Sequence, residues 1–380
     1  MKNTILAIMS AAATIACAAE VPKVLPIGSD LPSFSLPGTD GKMHTEKDYA
    51  AAKVLCIIFT CNHCPDSVAA AARTEKIHKD YKDKGIAIVA VNANNPASLR
   101  PDELGYSPYG DSFEEMQPFA DSYGWSFPYL YDGETQAFAT ACGAQSTPHI
   151  FVFDKERKLR YTGRMDDAGR SKEPVEKSYV RDAFDALLAG KQIAEPVTRS
   201  FGCSTKWLFK GNSVAKEQKA WETKPVTLDD LDEALAKTLR ENKSGNVRVI
   251  NFWSTTCGPC VAEFPMLVET YRRFQNRNVD FISISMDPAE DKAKVKKFLE
   301  SRQAALSIRT KPSMKKEGRT SNNYIWTGAN PDKLAEAIAP KWTGALPLTV
   351  IISPTGDILW IEDGEVDAVE LRTEILKGLD

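Results

Sequence analysis

The chain has 380 residues, of which 43% are hydrophobic and 26% are charged, and its formal net charge is −3. This length and composition predict two or three domains with ordinary soluble cores. The slightly negative charge provides no basic surface, so nucleic acid is excluded as an expected partner.

The first nineteen residues have the pattern of a secretory signal peptide. Lys2 gives a positive start, a short apolar run extends from Ile5 to Ala16, and Ala16-Cys17-Ala18 supplies small residues for cleavage. The pattern predicts export to the periplasm or another extracytoplasmic space. A lipid anchor on Cys17 is the minor alternative, because Thr14 stands where a lipoprotein signal carries an aliphatic residue.

The first half of the chain places a Cys-x-x-Cys pair between a strand and a helix. An apolar run at 54–59 leads directly into Cys61 and Cys64, and a helix-like segment follows. After a second apolar run, residues 94–112 are rich in Pro, Gly and Asn, and we expect them to form a surface loop that borders the active site. Thr147-Pro148 then opens a third run, and a turn leads into a fourth strand.

The second half repeats this order. An apolar run at 247–252 precedes Cys257 and Cys260, a helix-like segment and another apolar run follow, and Leu346-Pro347 opens the next strand. The first Cys lies 87 residues before the Pro in one copy and 90 in the other. Between the copies, residues 201–225 show no sustained period, which predicts a linker that packs on the first domain.

Alternating strands and helices predict the α/β class, with a partly parallel sheet and helices on both faces in each copy. The predicted organisation is a signal peptide at 1–19, a first domain at 20–200, a linker at 201–225 and a second domain at 226–380.

The spacing of the cysteines indicates redox chemistry. A thiolate at the start of a helix is stabilised by free backbone N–H groups and the helix dipole, and a second sulfur one turn later resolves the mixed disulfide. This predicts Cys61 and Cys257 as nucleophiles and Cys64 and Cys260 as resolving thiols. Zinc binding is the rival hypothesis, but the two pairs occupy equivalent places in separate copies, so we expect no metal and no cofactor. Cys56 lies mid-strand and is expected to be buried.

Several motifs resemble known families. Residues 27–209 resemble the redoxin branch of peroxiredoxin-like thioredoxin proteins, on four motifs: Thr60-Cys61-Asn62-His63-Cys64-Pro65, residues 127–132, residues 163–167 and Phe201-Gly202-Cys203-Ser204. Residues 225–380 resemble the TlpA/ResA-like thiol–disulfide oxidoreductases, on residues 251–260 and Glu263-Phe264-Pro265. Thr256 stands where that family usually has Trp, which puts partner docking in doubt.

The resemblance implies a thioredoxin fold in both halves, with Pro148 and Pro347 as cis prolines beside the redox pairs. It also implies that Glu263 is an acid that handles the proton of the resolving thiol; a surface helix glutamate is the alternative. His63 would stabilise a reduced thiolate and make the first pair more oxidising. His149 would lie close to Cys61, or would be an ordinary partly exposed histidine.

The expected function is thiol–disulfide exchange with extracytoplasmic proteins, supplied by an upstream membrane or periplasmic reductant. One alternative is a thiol peroxidase, although Thr60 directly precedes Cys61 and no Pro lies in 54–59. Another is a Sco-like copper chaperone that binds copper(I) through Cys61, Cys64, His63 and His149.

Two further questions stay open at this point. Cys142 and Cys203 either form a structural disulfide that staples the C-terminal segment to the first domain, or Cys203 is a third redox thiol. The two Cys-x-x-Cys pairs either pass electrons from the second domain to the first, or act as independent reductases on one chain.

Overall fold

The computed structural model describes residues 20–171 and 174–379. The predicted signal peptide and the alternative lipid anchor at Cys17 lie outside this range. Within the described residues, no helix combines the length and the apolar character that a membrane crossing requires.

The first half of the chain is built around a five-stranded mixed sheet. Its elements are β1 Ser35–Pro37, β2 Met43–Thr45, β3 Val54–Thr60, α1 Pro65–Tyr81, β4 Ile86–Asn92, α2 Phe113–Ser122, β5 Tyr129–Tyr131, α3 Ala137–Cys142, β6 Ser146–Thr147, β7 His149–Phe153, β8 Leu159–Gly163, α4 Tyr179–Leu188 and β9 Cys203–Ser204. The order in the sheet is β5-β4-β3-β7-β8. β3, β4 and β5 run parallel, whereas β7 and β8 join as an antiparallel hairpin.

Both faces of this sheet are covered. Alternate residues of β3 enter two separate cores: Val54, Cys56 and Ile58 pack on one face, and Leu55, Ile57 and Phe59 pack on the other. A strand that is buried on both faces reads as a continuous apolar run, which explains why the sequence at 54–59 shows no alternation. Cys56 is fully buried, as expected.

The second half repeats the plan with one more strand. Its elements are α5 Gly211–Glu222, β10 Asp229–Leu231, α6 Glu233–Glu241, β11 Val247–Trp253, α7 Gly258–Phe274, β12 Val279–Ser285, α8 Lys292–Ser301, α9 Lys311–Lys316, β13 Asn323–Trp326, α10 Pro331–Ile338, β14 Leu348–Ile352, β15 Ile358–Asp363 and α11 Ala368–Leu379. The sheet order is β10-β13-β12-β11-β14-β15, with β14 antiparallel to β11. The predicted α/β class, with two mixed sheets flanked by helices, is confirmed.

The segment 201–225, expected to be an irregular linker, contains regular structure. β9 pairs with β6 of the first half, and Trp207 is buried in the first core. α5 follows, and its Trp221 is buried in a core of the second half. An aromatic side chain at each end therefore anchors this segment to both halves, because each ring removes a large apolar area from water.

The two halves are also in direct contact. The loop at 94–112 meets the C-terminal end of α7: Asn276 donates a hydrogen bond to Asp102 at 2.6 Å, and Arg277 donates one to the carbonyl of Gly105 at 2.6 Å. Arg273 lies 3.8 Å from the Glu115 carboxylate of α2. The domain boundaries themselves stay a prediction.

Candidate functional site

The first cysteine pair lies where β3 ends and α1 begins. Pro65 occupies the first turn of α1, and Cys64 is the N-cap residue. Proline suits this position because its missing N–H needs no partner there. Cys61 lies three residues earlier, beyond the last residue of β3. The free N–H groups of α1 therefore face Cys64 first, and not Cys61 as expected from the sequence.

Both thiols of this pair are free and fully buried. The Cys61 sulfur lies 3.2 Å from the Thr147 hydroxyl, and a longer contact joins it to Ser67. The Cys64 sulfur lies 3.1 Å from the Thr147 carbonyl oxygen and accepts a hydrogen bond from the backbone N–H of Cys203 at 3.3 Å. Both sulfurs of this pair are therefore shielded from solvent in the reduced domain.

His63 is buried between the two cysteines and is held by a carboxylate. Its Nδ1 lies 2.6 Å from Asp111, whose other oxygen accepts hydrogen bonds from the backbone N–H groups of Asn62 and His63. Burial lowers the pKa of His63, but the charge of Asp111, the hydrogen bond to Asp111 and the charge of Cys64 together outweigh burial, and the pKa is raised overall. The pKa of Asp111 is lowered, because His63 and these hydrogen bonds outweigh its own burial. The pair therefore favours an imidazolium facing a carboxylate.

The surroundings give the two thiols different acidities. Burial raises the pKa of Cys64, but hydrogen bonds from Cys203, Cys61 and the backbone of Ser67, together with the charge of His63, outweigh burial. The pKa of Cys64 consequently lies well below its usual range. Burial raises the pKa of Cys61, and its hydrogen bond to Cys64 and the Asp111 charge raise it further. The thiolate of this pair is therefore favoured on Cys64.

Pro148 follows a cis peptide bond, as the resemblance implies, and Thr147 before it contacts both sulfurs. Both ring nitrogens of His149 have partners other than the cysteine pair. Its Nδ1 accepts a hydrogen bond from the backbone N–H of Gln145 at 3.2 Å, and its Nε2 lies 3.2 Å from the Thr162 hydroxyl. Burial lowers its pKa to about 4. The expectation of a partly exposed histidine is wrong, since it is 2% exposed.

The second pair is arranged differently. Cys257 is the N-cap residue of α7, is partly exposed and forms a disulfide with the buried Cys260. Its sulfur also accepts a hydrogen bond from the backbone N–H of Cys260 at 3.3 Å. Pro347 follows a cis peptide bond, and Leu346 packs in the same cluster as the cysteines. Here the accessible sulfur is that of Cys257, the predicted nucleophile.

Glu263 is a buried residue of α7 and not a surface glutamate. Its side chain accepts hydrogen bonds from Asn251 at 3.0 Å and from the backbone N–H of Val366 at 3.1 Å. Burial raises its pKa above the ordinary value in spite of these bonds. A carboxyl group with a raised pKa exchanges protons closer to neutral pH, which is consistent with the predicted role in handling a proton.

Asp111 is the site residue that sequence reasoning missed. It lies 47 residues after Cys64, at the end of the loop at 94–112, and the only sequence signal is that this loop was expected to border the site. Asn94, from the start of the same loop, donates a hydrogen bond to Asp111 at 2.7 Å and thereby ties the two ends of the loop together.

Two clusters in the first half bring possible metal ligands within 4.8 Å of one another. One contains Cys61, His63 and Asp111, and the other contains Cys64, Asp66 and Cys203. The carboxylates already have partners, since Asp66 accepts two hydrogen bonds from Arg170. His149 belongs to neither cluster, so it is no longer a candidate copper ligand. The candidate ligands for a soft metal are then the sulfurs of Cys61, Cys64 and Cys203 and the imidazole of His63.

The two halves of the chain match two different families of known proteins. Residues 26–179 match the Redoxin family model, and residues 218–361 match the AhpC/TSA family model. The two matches lie in tandem, and we call the matched parts of the chain the Redoxin domain and the AhpC/TSA domain. This agrees with the tandem architecture inferred from the sequence.

Curated relatives of this tandem protein include the thiol–disulfide oxidoreductase ResA of Geobacillus thermodenitrificans, 26% identical over 37% of this chain and 71% of its own length. With two other ResA proteins the match spans about half of their length, 48% and 50%. A Mycobacterium tuberculosis protein provisionally named a peroxiredoxin is 22% identical over 38% of this chain and 80% of its own length. These relatives confirm the general class, an oxidoreductase.

Among solved structures, an uncharacterised conserved protein from Geobacillus kaustophilus is 37% identical, with a TM-score of 0.43. The match covers 48% of the tandem chain and 92% of that protein.

Proposed function

We propose that the chain is an exported thiol–disulfide oxidoreductase that exchanges disulfides with extracytoplasmic proteins at two centres, Cys61/Cys64 in the Redoxin domain and Cys257/Cys260 in the AhpC/TSA domain. The observation that carries this proposal is that both pairs lie at a strand-to-helix junction beside a cis-Pro loop, although Cys64 caps the helix in one domain and Cys257 in the other. In each domain the other cysteine of the pair lies three residues away from the capping one.

The two centres differ in a way that supports opposite redox character. The Cys64 sulfur accepts a hydrogen bond from the backbone N–H of Cys203, and the charge of His63, paired with Asp111, also lowers its pKa, so the reduced form of the first pair is stabilised as a thiolate. A disulfide whose reduced form is stabilised is a stronger oxidant. The second pair has no histidine between its cysteines. We therefore infer that the Redoxin domain accepts electrons more readily than the AhpC/TSA domain.

The packing of the domains weighs against a direct relay between the pairs. The C-terminal end of α7 contacts the loop that holds Asp111, whereas Cys257 lies at the N-terminal end of the same helix. Seventeen helical residues correspond to about 25 Å. Contact between the sulfurs would require the domains to separate, so we propose that each pair reacts with external partners and that the relay is the alternative.

The test is insulin reduction by dithiothreitol, followed as turbidity. We expect activity in the intact chain, partial activity in Cys61→Ser/Cys64→Ser and in Cys257→Ser/Cys260→Ser, and only the background rate in the quadruple variant. Cys142→Ala, in the apolar core, is the matched control. Full activity in the quadruple variant would overturn the proposal. Titration of each pair against glutathione should give the higher potential to Cys61/Cys64.

Peroxide reduction by the Redoxin domain is a second candidate, because the burial of Cys61 hinders a protein partner more than a molecule as small as peroxide, and a relative is provisionally named a peroxiredoxin. Peroxide consumption that requires Cys61 and a thiol donor would favour it. Metal analysis of the reduced, anaerobically purified chain tests the copper hypothesis.

A further inference from the structure

Cys203 lies against the first redox pair, although it is 139 residues from Cys64 in the sequence. The sulfurs of Cys64 and Cys203 lie within 4.8 Å of each other, and the backbone N–H of Cys203 donates a hydrogen bond to the Cys64 sulfur. A disulfide requires about 2 Å between sulfurs, so at most about 3 Å must be closed, which is within the range of side-chain rotation.

The backbone fixes Cys203 in this place. β9 pairs Cys203 with Thr147, the residue before the cis proline. Gly202 approaches so closely that a Cβ would lie 2.0 Å from the Thr147 carbonyl oxygen, and its φ of +142° is one that side-chain-bearing residues rarely adopt. The segment thus brings a third thiol to the same loop that contacts Cys61 and Cys64.

The three thiols differ in their exposure to solvent. Cys61 and Cys64 are fully buried, whereas Cys203 is partly exposed. Thiol–disulfide exchange needs an in-line approach of one sulfur to another, so a protein partner reaches the pair only through an exposed sulfur. Cys142, the other candidate partner of Cys203, is a free thiol packed in an apolar cluster with Phe138 and Phe151.

We propose that Cys203 is a third redox thiol of the Redoxin domain, which forms a disulfide with Cys64 and connects the buried pair to external protein thiols. This inference deepens the proposed function and rests on it for the nature of the partner. It replaces the structural staple, the other hypothesis for Cys203.

The exchange balances as follows. A partner thiolate attacks the Cys203 sulfur of the Cys64–Cys203 disulfide, forms a mixed disulfide and releases the Cys64 thiolate. A second partner thiolate then attacks the partner sulfur, which forms the partner disulfide and releases Cys203, which takes up a proton. The partner loses two electrons and the Redoxin domain gains them.

The surroundings suit this direction of attack. The sulfur that leaves is Cys64, whose pKa is lowered, and thiols with a low pKa leave faster. Cys61 completes the set: its thiolate can attack Cys64 in the same disulfide, form Cys61–Cys64 and free Cys203. Two isomeric one-disulfide forms of the domain then exist, one exposed and one buried.

The first test maps disulfides in the full chain carrying Cys257→Ala/Cys260→Ala, oxidised with diamide. We expect peptides linking Cys64 to Cys203 alongside peptides linking Cys61 to Cys64. In the added variant Cys61→Ser, the Cys64–Cys203 link should account for all oxidised chains. If Cys64 and Cys203 still react with an alkylating reagent in that variant, or form disulfides only between chains, the assignment of Cys203 as a redox thiol is refuted. Mapping the unsubstituted chain gives the same test without relying on the folding of a variant.

The second test measures reaction of the reduced, folded chain with Ellman's reagent, again with Cys257→Ala/Cys260→Ala. Because buried thiols react only through local opening, removing Cys203 as Cys203→Ser or Cys203→Ala should slow the fastest phase by about tenfold or more. Cys142→Ala should leave that phase unchanged. A fast phase that survives both Cys203 variants overturns the proposal.

These results separate the inference from the proposed function. If the Cys64–Cys203 disulfide forms but insulin is not reduced, the proposed function is refuted and the assignment of Cys203 as a redox thiol stands. If no Cys64–Cys203 disulfide forms in the unsubstituted chain and Cys203→Ser reduces insulin at the wild-type rate, the assignment of Cys203 as a redox thiol is refuted and the proposed function stands.

Discussion

Replacing Asp111 by Asn tests how the Redoxin domain sets the acidity of its thiols. The carboxylate accepts four hydrogen bonds: two from the backbone N–H groups of Asn62 and His63 on one oxygen, and two from the side chains of Asn94 and His63 on the other. Asparagine keeps the first two and turns an NH₂ group toward the other two donors. Two bonds to a charged acceptor are lost, and a buried ion pair is broken, which together cost about 3 to 5 kcal/mol.

The expected loss depends on pH with a defined sign. The pKa of Asp111 is lowered in the folded state, so its contribution to stability is present above its ordinary pKa and is lost as the pH falls through the folded value. The pKa of His63 is raised, so its contribution is present below its ordinary pKa and is lost as the pH rises through the folded value. Asp111→Asn should therefore destabilise the domain most between about pH 4 and pH 6.5.

The same change should alter the redox chemistry. Without the carboxylate, burial lowers the pKa of His63, so Cys64 loses a neighbouring cation and its pKa rises. Each unit of that rise removes about 1.4 kcal/mol of thiolate stabilisation, which corresponds to about 30 mV in the potential. We expect a more negative potential in Asp111→Asn. The assays are thiolate absorbance against pH and glutathione titration, both in the full chain with Cys257→Ala/Cys260→Ala.

A matched control separates charge from stability. Asp132 is also a buried aspartate of this domain, and it accepts a hydrogen bond from the backbone N–H of Ala139. Asp132→Asn should destabilise the domain and leave the thiolate titration unchanged. If Asp111→Asn titrates and equilibrates with glutathione like the unsubstituted chain, the assignment of His63 and Asp111 to the thiolate is refuted.

Three further predictions concern other parts of the molecule. The pKa of Glu263 is raised by burial, so its contribution to stability is lost as the pH rises through the folded value. Denaturant titrations should therefore show that Glu263→Gln gains stability relative to the unsubstituted chain from pH 4 to pH 8. The same difference in unfolding free energy between the two chains at both pH values would contradict this. Gly202→Ala should cost about 2 kcal/mol or more, since its Cβ would meet the Thr147 carbonyl; unchanged thermal unfolding of the Redoxin domain would refute the close packing. Disulfide exchange between the two pairs should be no faster within one chain than between separate chains carrying one pair each, measured by quenched alkylation, and faster exchange within the chain would restore the relay.

The sequence determined the architecture because that information is local and periodic. Apolar runs buried on both faces, such as 54–59, predict central strands, and the repeated distance from Cys61 to Pro148 and from Cys257 to Pro347 predicts two copies of one fold. Both prolines follow cis bonds, in line with the family resemblance. Cys257 is partly exposed and Cys260 is buried, which is consistent with their predicted roles as nucleophile and resolving thiol.

Only the tertiary structure decided which groups meet around the first pair. Asp111 comes from a loop, and Cys203 comes from a segment expected to be a linker. The sequence singled out Cys203 only as one of two alternatives, and it did not show that either residue lies beside the first pair. Their approach depends on loop closure and on the pairing of β9 with β6. The acidity of a thiol depends on burial and on charges within a few ångströms. For that reason the same Cys-x-x-Cys spacing favours the second sulfur as the thiolate in one domain and exposes the first sulfur in the other.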